Sequence, residues 1–237
     1  MIYFFSYGNQ NYKNSKLRIE QEAKNMGFDF VKIYGPEDLS LEFLQKTAPH
    51  IFHPRGAGYW LWKAYFLKKT FEEMKDGDYC IYADAGCHVN QHGKQRLNEY
   101  LRMITDDDSG FLAFELTGFL EKMYTNEKVF EFFQIDESDS YRETSQLVGG
   151  VLFLRKCENT VRIINDYYDL ALNHSDLFSD IHNDYKRKPD FRDHRHDQSI
   201  LGLLRKKYGC VIIPDETYAL NWKELMHIPI LATRIRQ

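Results

Sequence analysis

"YCIYADAGCHVN", residues 79–90, is an apolar run that ends on a single carboxylate. Tyr79, Cys80, Ile81 and Tyr82 fit a buried strand, bounded by a turn of very small residues: Ala83, Asp84, Ala85 and Gly86. Cys87 and His88 follow at once. A hydrophobic strand that delivers one aspartate into such a turn either simply reverses there or keeps the backbone bare for something large.

Working outward, the chain alternates strand and helix patterns. "MIYFF" reads as a first strand and "SYGNQN" as a loop. "NSKLRIEQEAKNMG" has helical spacing, with Leu17, Ile19, Ala23 and Met26 roughly on one side and Gly27 as C-cap. "FDFVKIY" is a second strand, and "SLEFLQKTA" a short helix with Ser40 at its N-cap. A β-α-β-α opening of this kind predicts a parallel sheet with helices on its faces. Downstream, helices are predicted over "YWLWKAYFLKKTFEEMKDGD", "GKQRLNEYLRMI", "NEKVFEFFQI", "NTVRIINDYYDLAL" and "HDQSILGLLRKKYG". Strands are predicted over "GFLAFEL", "GGVLFLRK" and "CVIIP", and a polar loop over roughly 174–195. No repeat, low-complexity run or linker interrupts this, so one α/β domain with a mixed sheet is the reading.

Composition sets the outer bounds. A length of 237 residues suits one substantial domain, and 43% hydrophobic residues suffice for a large core. A net charge of −4 argues against nucleic acid as a partner. The four cysteines, Cys80, Cys87, Cys157 and Cys210, form no CxxC pair, which fits a reduced, intracellular chain and a cytoplasmic location. Met1 leads straight into "IYFFSYG" without the pattern of a signal peptide, and no apolar run nears the ~20 residues that span a bilayer. Peripheral contact with a membrane surface stays compatible with the sequence.

Four constellations can carry chemistry. Ligands of open α/β sheets bind beyond the carboxyl ends of the strands, where Asp84 is predicted to stand. Its carboxylate can accept from a ribose hydroxyl or share a divalent cation with a diphosphate, and Ala85 and Gly86 leave room for close approach; otherwise it caps a turn. In "PRGAGYWLWK", residues 54–63, Arg55 precedes a helix and Lys63 lies on it, an anion site or a basic flank to core tryptophans. Gly149 and Gly150 in "SQLVGGVLFL" suit a bulge or a wall for a flat ligand. The densest is "DHRHDQS", residues 193–199, with His194, His196, Asp197 and Gln198 before an apolar helix. Asp197 there is a helix N-terminal acid or a general base.

Taken in order, "GAGYWLWK", "YADAGCHVN" and "HRHDQSILGLLRKKYG" give the chain its resemblance to the nucleotide-sugar-dependent glycosyltransferases of the GT-A fold. It is most similar to small bacterial and viral glycosyltransferase-like proteins of capsule, lipopolysaccharide and other surface-glycan loci. The resemblance implies a GT-A-like, Rossmann-like single domain over residues 1–237, with a mixed, mainly parallel central sheet flanked by helices. It implies sugar transfer from a nucleoside-diphosphate sugar to a hydroxyl of a surface glycan, glycolipid or other glycoconjugate.

By the same resemblance Asp84, Ala85 and Gly86 stand where the Asp-x-Asp motif binds metal and donor, with Gly86 in place of the second aspartate. Arg55 and Lys63 would approach the donor diphosphate, Tyr7 or Tyr12 would stack on the base, and Gly149 and Gly150 would lie near the acceptor. Asp197, with Gln198 and His196, would be the catalytic group. Mn2+ or Mg2+ would be held by Asp84 and His227, with His88 as a substitute ligand; the missing second aspartate predicts weak metal dependence. A non-catalytic sugar-nucleotide or glycan-binding module on the same fold is the alternative. Asp84 is expected to point into the largest cleft.

Overall fold

The computed structural model describes residues 1–219 and 221–233. Its strands are β1 (Ile2–Tyr7), β2 (Phe30–Tyr34), β3 (Tyr79–Ala83), β4 (His88–Val89), β5 (Phe111–Leu120), β6 (Ser145–Leu147), β7 (Val151–Arg155), β8 (Val211–Pro214) and β9 (Ile230–Leu231). The helices are α1 (Lys13–Met26), α2 (Leu41–Thr47), the single turn α3 (Gly56–Tyr59), α4 (Leu61–Glu73), α5 (Lys94–Thr105), α6 (Glu121–Tyr124), α7 (Glu127–Phe132), α8 (Glu158–Asn173) and α9 (Asp197–Tyr208).

One mixed sheet runs in the order β2-β1-β3-β7-β5-β6, with β8 on the other edge of β5. β1 pairs in parallel with β2 and β3, and β5 with β8, whereas β7 is antiparallel to β3 and β5, and β6 to β5. The strands β1, β2, β3, β5 and β8 therefore point one way, and β6 and β7 the other. A small antiparallel pair, β4 with β9, sits apart.

The alternation of the strands divides the core in two. Phe5, Tyr7 and Tyr82 pack with α4, α8 and α9 on one face of the sheet. Phe4, Ile81 and Ala83 pack with α1 and α5 on the other. α1 buries Ser15, Ile19, Ala23 and Met26 and ends at Gly27, whose φ of 90° suits a glycine cap. Leu17, expected on that face, is 63% exposed, because it lies two residues from Ile19, more than half-way round the helix. The Ser40 hydroxyl caps α2 by accepting from the Phe43 amide at 3.2 Å.

The structure lengthens some predicted elements and adds others. β1 continues through Ser6 and Tyr7, so the "SY" of the expected loop belongs to a strand. β5 runs on to Leu120. β4, β6 and β9 are two or three residues long, too short for any period to register. Among the described residues no helix is long and apolar enough to cross a membrane.

Candidate functional site

β3 ends at Ala83, and Asp84 is the next residue, as the strand pattern required. Its amide donates to the Gly150 carbonyl at 2.9 Å, and its own carbonyl accepts from the Cys87 amide at 2.8 Å. The backbone thus leaves the sheet in a tight turn tied to the start of β7. The Asp84 side chain stays 44% exposed. The Tyr82 hydroxyl, fully buried beneath it, donates to Oδ1.

Lys63, on α4, reaches the same point from below. It is only 2% exposed. Its ammonium donates to the Gly149 carbonyl at 2.8 Å and to Asp197 Oδ2, and lies 4.0 Å from Asp84 Oδ1. Two carboxylates therefore share one buried cation. Asp197, the first residue of α9, is itself 5% exposed. Burial raises its carboxyl to about 6; Lys63 opposes the rise and the negative charge of Asp84 adds to it.

Gln198 completes the arrangement. Its Oε1 accepts from the Gly149 amide at 3.1 Å, and its Nε2 donates to Gln146 Oε1 at 2.6 Å. Gly149 and Gly150 are required by close approach. A Cβ on Gly149 would lie 2.9 Å from Gln198 Cβ, and one on Gly150 would lie 2.7 Å from Asp84 Oδ2. The structure thus brings together Lys63, Asp84, Gly149, Gly150, Asp197 and Gln198, drawn from four separate segments.

Other candidates fall elsewhere. The Tyr7 ring is buried and stacked on Trp62 at 3.9 Å, so it is core and has no free face for a nucleobase. Both ends of the Arg55 guanidinium fork are taken, by Asp180 at 2.9 Å and Asp193 at 2.7 Å; it pins the polar loop across 174–195 instead of facing a diphosphate beside Lys63. His196 is buried, with Tyr59 and Trp60 rings at 5.3 and 5.2 Å and Nε2 bonded to Asp180 at 3.1 Å. Burial lowers it to about 4, so it is a neutral packing group. Ala85 and Gly86 are also buried. Their carbonyls accept from Arg18 at 3.0 Å and from the Thr233 hydroxyl at 2.8 Å. The small residues of the turn make room for the protein's own groups, and only Asp84 emerges.

The expected metal set does not assemble. Among the described residues no three His, Cys, Asp or Glu side chains gather to hold an ion. His227 is exposed on the turn before β9, and its electrostatic influence falls on Glu216. His88 is turned to α1, with Nδ1 2.6 Å from Glu22 Oε1 and Nε2 2.9 Å from Arg18 Nη1. Asp84 offers a single carboxylate, one oxygen of which already accepts from Tyr82. These residues do not form a divalent-cation site from protein groups alone. Asp84 also does not line the cavity of about 310 Å3 that opens beside β4 and β9, among Glu22, His88, Asn90, His92 and Met226.

Sequence reasoning overlooked Tyr82, Gln146, Arg18 and Arg205. Arg205 carried a visible signal: it stands four residues after Leu201 on the apolar stripe of α9, where an arginine is out of place.

No family model and no curated protein matches the sequence. Solved structures do resemble the fold. A glycosyltransferase involved in glycosylation of the major capsid of PBCV-1 is 13% identical, with a TM-score of 0.51 over 97% of this chain and 92% of that one. Mouse xyloside xylosyltransferase 1 is 10% identical over 98% and 97%, with a TM-score of 0.48. The galactosyltransferase LgtC, in complex with donor and acceptor sugar analogs, is 13% identical over 98% and 86%, with a TM-score of 0.47. At such identities likeness speaks to fold alone, and of the three the PBCV-1 protein carries it: this chain has the GT-A glycosyltransferase fold.

Proposed function

We propose that the protein transfers a sugar from a nucleoside-diphosphate sugar to a hydroxyl group of a glycan or glycoconjugate. The observation that carries this reading is the Asp84–Lys63–Asp197 constellation at the carboxyl end of β3, walled by Gly149 and Gly150. Ligands of open α/β sheets bind at such an edge. A half-exposed carboxylate there accepts hydroxyl hydrogen bonds, and Gln198 adds an amide beside it. The PBCV-1 structure's described role in capsid glycosylation supports a surface glycoconjugate as acceptor class.

The residues divide the labour by exposure. Asp84 reaches the donor. Lys63 and Asp197 hold each other and the Gly149 carbonyl, so they fix the floor of the site before substrate arrives, which is the economical way to position reacting groups. The burial of Asp197 favours this positioning role over that of a general base.

A panel of UDP-, GDP-, CDP- and dTDP-sugars, with release of the nucleoside diphosphate as readout, tests the reading. Turnover by the wild type, abolished in Asp84→Asn, is expected. No release and no thermal shift with any member of the panel would refute it. Repeating the assay in EDTA tests the metal: we expect activity to fall by less than about tenfold, since the described residues gather no closed cation site. Gly86, in place of a second aspartate, favours the alternative, a sugar-nucleotide-binding module, which would show a thermal shift without release.

A further inference from the structure

Arg205 is 0% exposed, on α9 eight residues after Asp197. Its Nη1 donates to the Val148 carbonyl at 3.1 Å, and its Nη2 to the Leu147 and Val148 carbonyls at 3.1 Å each. Its Nε has no partner, and among the described residues no carboxylate forms an ion pair with it. Burying a guanidinium costs several kcal/mol unless it is well satisfied. A helix that needed only to pack would carry an apolar side chain here.

The bonds it makes give the reason. The Val148 carbonyl and the Gly149 N–H belong to one planar peptide unit and lie on its opposite edges. Arg205 grips the first edge, and Gln198 Oε1, from the same helix, grips the second at 3.1 Å. That plane cannot rotate. Gly149 has no side chain to restrict it, so its conformation must be imposed from outside. Once the plane is fixed, the Gly149 carbonyl meets Lys63 at 2.8 Å and the Gly150 carbonyl meets the Asp84 amide at 2.9 Å. Lys206 extends the lacing by donating to the Ser145 carbonyl at 2.7 Å.

We propose that Arg205 is a positioning residue: through the Val148–Gly149 peptide it sets the glycine wall, and through that wall the Lys63 and Asp84 side chains. The role in turnover rests on the glycosyl-transfer reading; the role in ordering the wall does not.

Two variants test it. Arg205→Met keeps length and volume without donors; Arg205→Lys keeps a cation with less reach. In Arg205→Met, amide exchange across 147–151 should accelerate by about tenfold or more while α1 and β1 keep wild-type protection. Nucleoside-diphosphate release should fall by about tenfold to a hundredfold in kcat, with the KM for the donor and the Kd for the free diphosphate within about threefold of wild type. Arg205→Lys should lie between, and it supplies the same comparison should Arg205→Met fail to fold. Unchanged exchange at 147–151, or acceleration spread evenly over the molecule, overturns the proposal, as does normal kcat below the melting temperature. Accelerated exchange in a protein whose wild type releases no diphosphate would refute the glycosyl-transfer reading and leave the ordering of the wall standing.

Discussion

At the scale of single residues, Lys63 and Asp197 decide most. The sequence marks Lys63 as a cation near a glycine loop, and that pattern reads naturally as a ligand for phosphate. Burial changes its meaning, because an ammonium 2% exposed must be satisfied by the protein. Lys63→Met should leave Asp197 buried without a counter-ion and cost about 3–5 kcal/mol near neutral pH, measured by urea unfolding. A loss below about 1 kcal/mol would mean that Asp197 has another partner. The raised carboxyl also makes stability depend on pH. The folded state holds a proton on Asp197 up to about 6, whereas the unfolded chain releases it near 3.8. Between those values the folded state binds more protons, so this contribution is present at low pH and fades as pH rises towards 6. The stability difference between wild type and Asp197→Asn should therefore shift against the wild type from pH 4 to pH 6, and level off above. Tyr82→Phe should free one oxygen of Asp84 at a cost of about 1 kcal/mol.

At the scale of elements, the long periodic segments were legible and the short ones were not. β3 and the turn at Asp84 follow from apolar run and small residues, and α1 and α9 from spacing and glycine caps. Of the candidate site, Asp84, Lys63, Gly149, Gly150, Asp197 and Gln198 were visible because each interrupts a pattern. Arg55 and His196 misled, since a sequence shows a charge or a ring but not its partner 125 or 16 residues away. Strain was equally hidden. His196 has φ 50° and ψ −120°, a conformation costly to any side chain, and Tyr59, Trp60 and Asp180 hold it there. His196→Ala keeps the strain and loses the contacts, whereas His196→Gly loses the contacts and relieves the strain. The glycine variant should therefore be the more stable by about 1 kcal/mol, the reverse of the usual order. Equal or inverted melting temperatures would show that the backbone there is unstrained. Gly150→Ala should fold yet displace the Asp84 carboxylate, cutting nucleoside-diphosphate release as Arg205→Met does, without altering the far face of the sheet.

At the scale of the whole molecule, two cores on opposite faces of one sheet bury Cys80 and Cys87, and burial pushes both thiols up. Cys157 and Cys210 are partly buried, and burial raises the Cys210 thiol too. A thiol reagent should therefore label the latter pair in the native state and the former only on global opening, so slow labelling reads the opening free energy. Rapid labelling of all four would place the core elsewhere. The buried pair of Lys63 and Asp197 has one more consequence, which concerns time. Its members stand 134 residues apart, and the Lys63 contact with Gly149 spans 86. No fragment of the chain that lacks α9 can build the site, and during synthesis Lys63 waits, hydrated, until α9 has emerged. Contacts closing such long loops form late. In refolding, helical signal should recover first, and capacity to bind a sugar nucleotide should return only with the final phase.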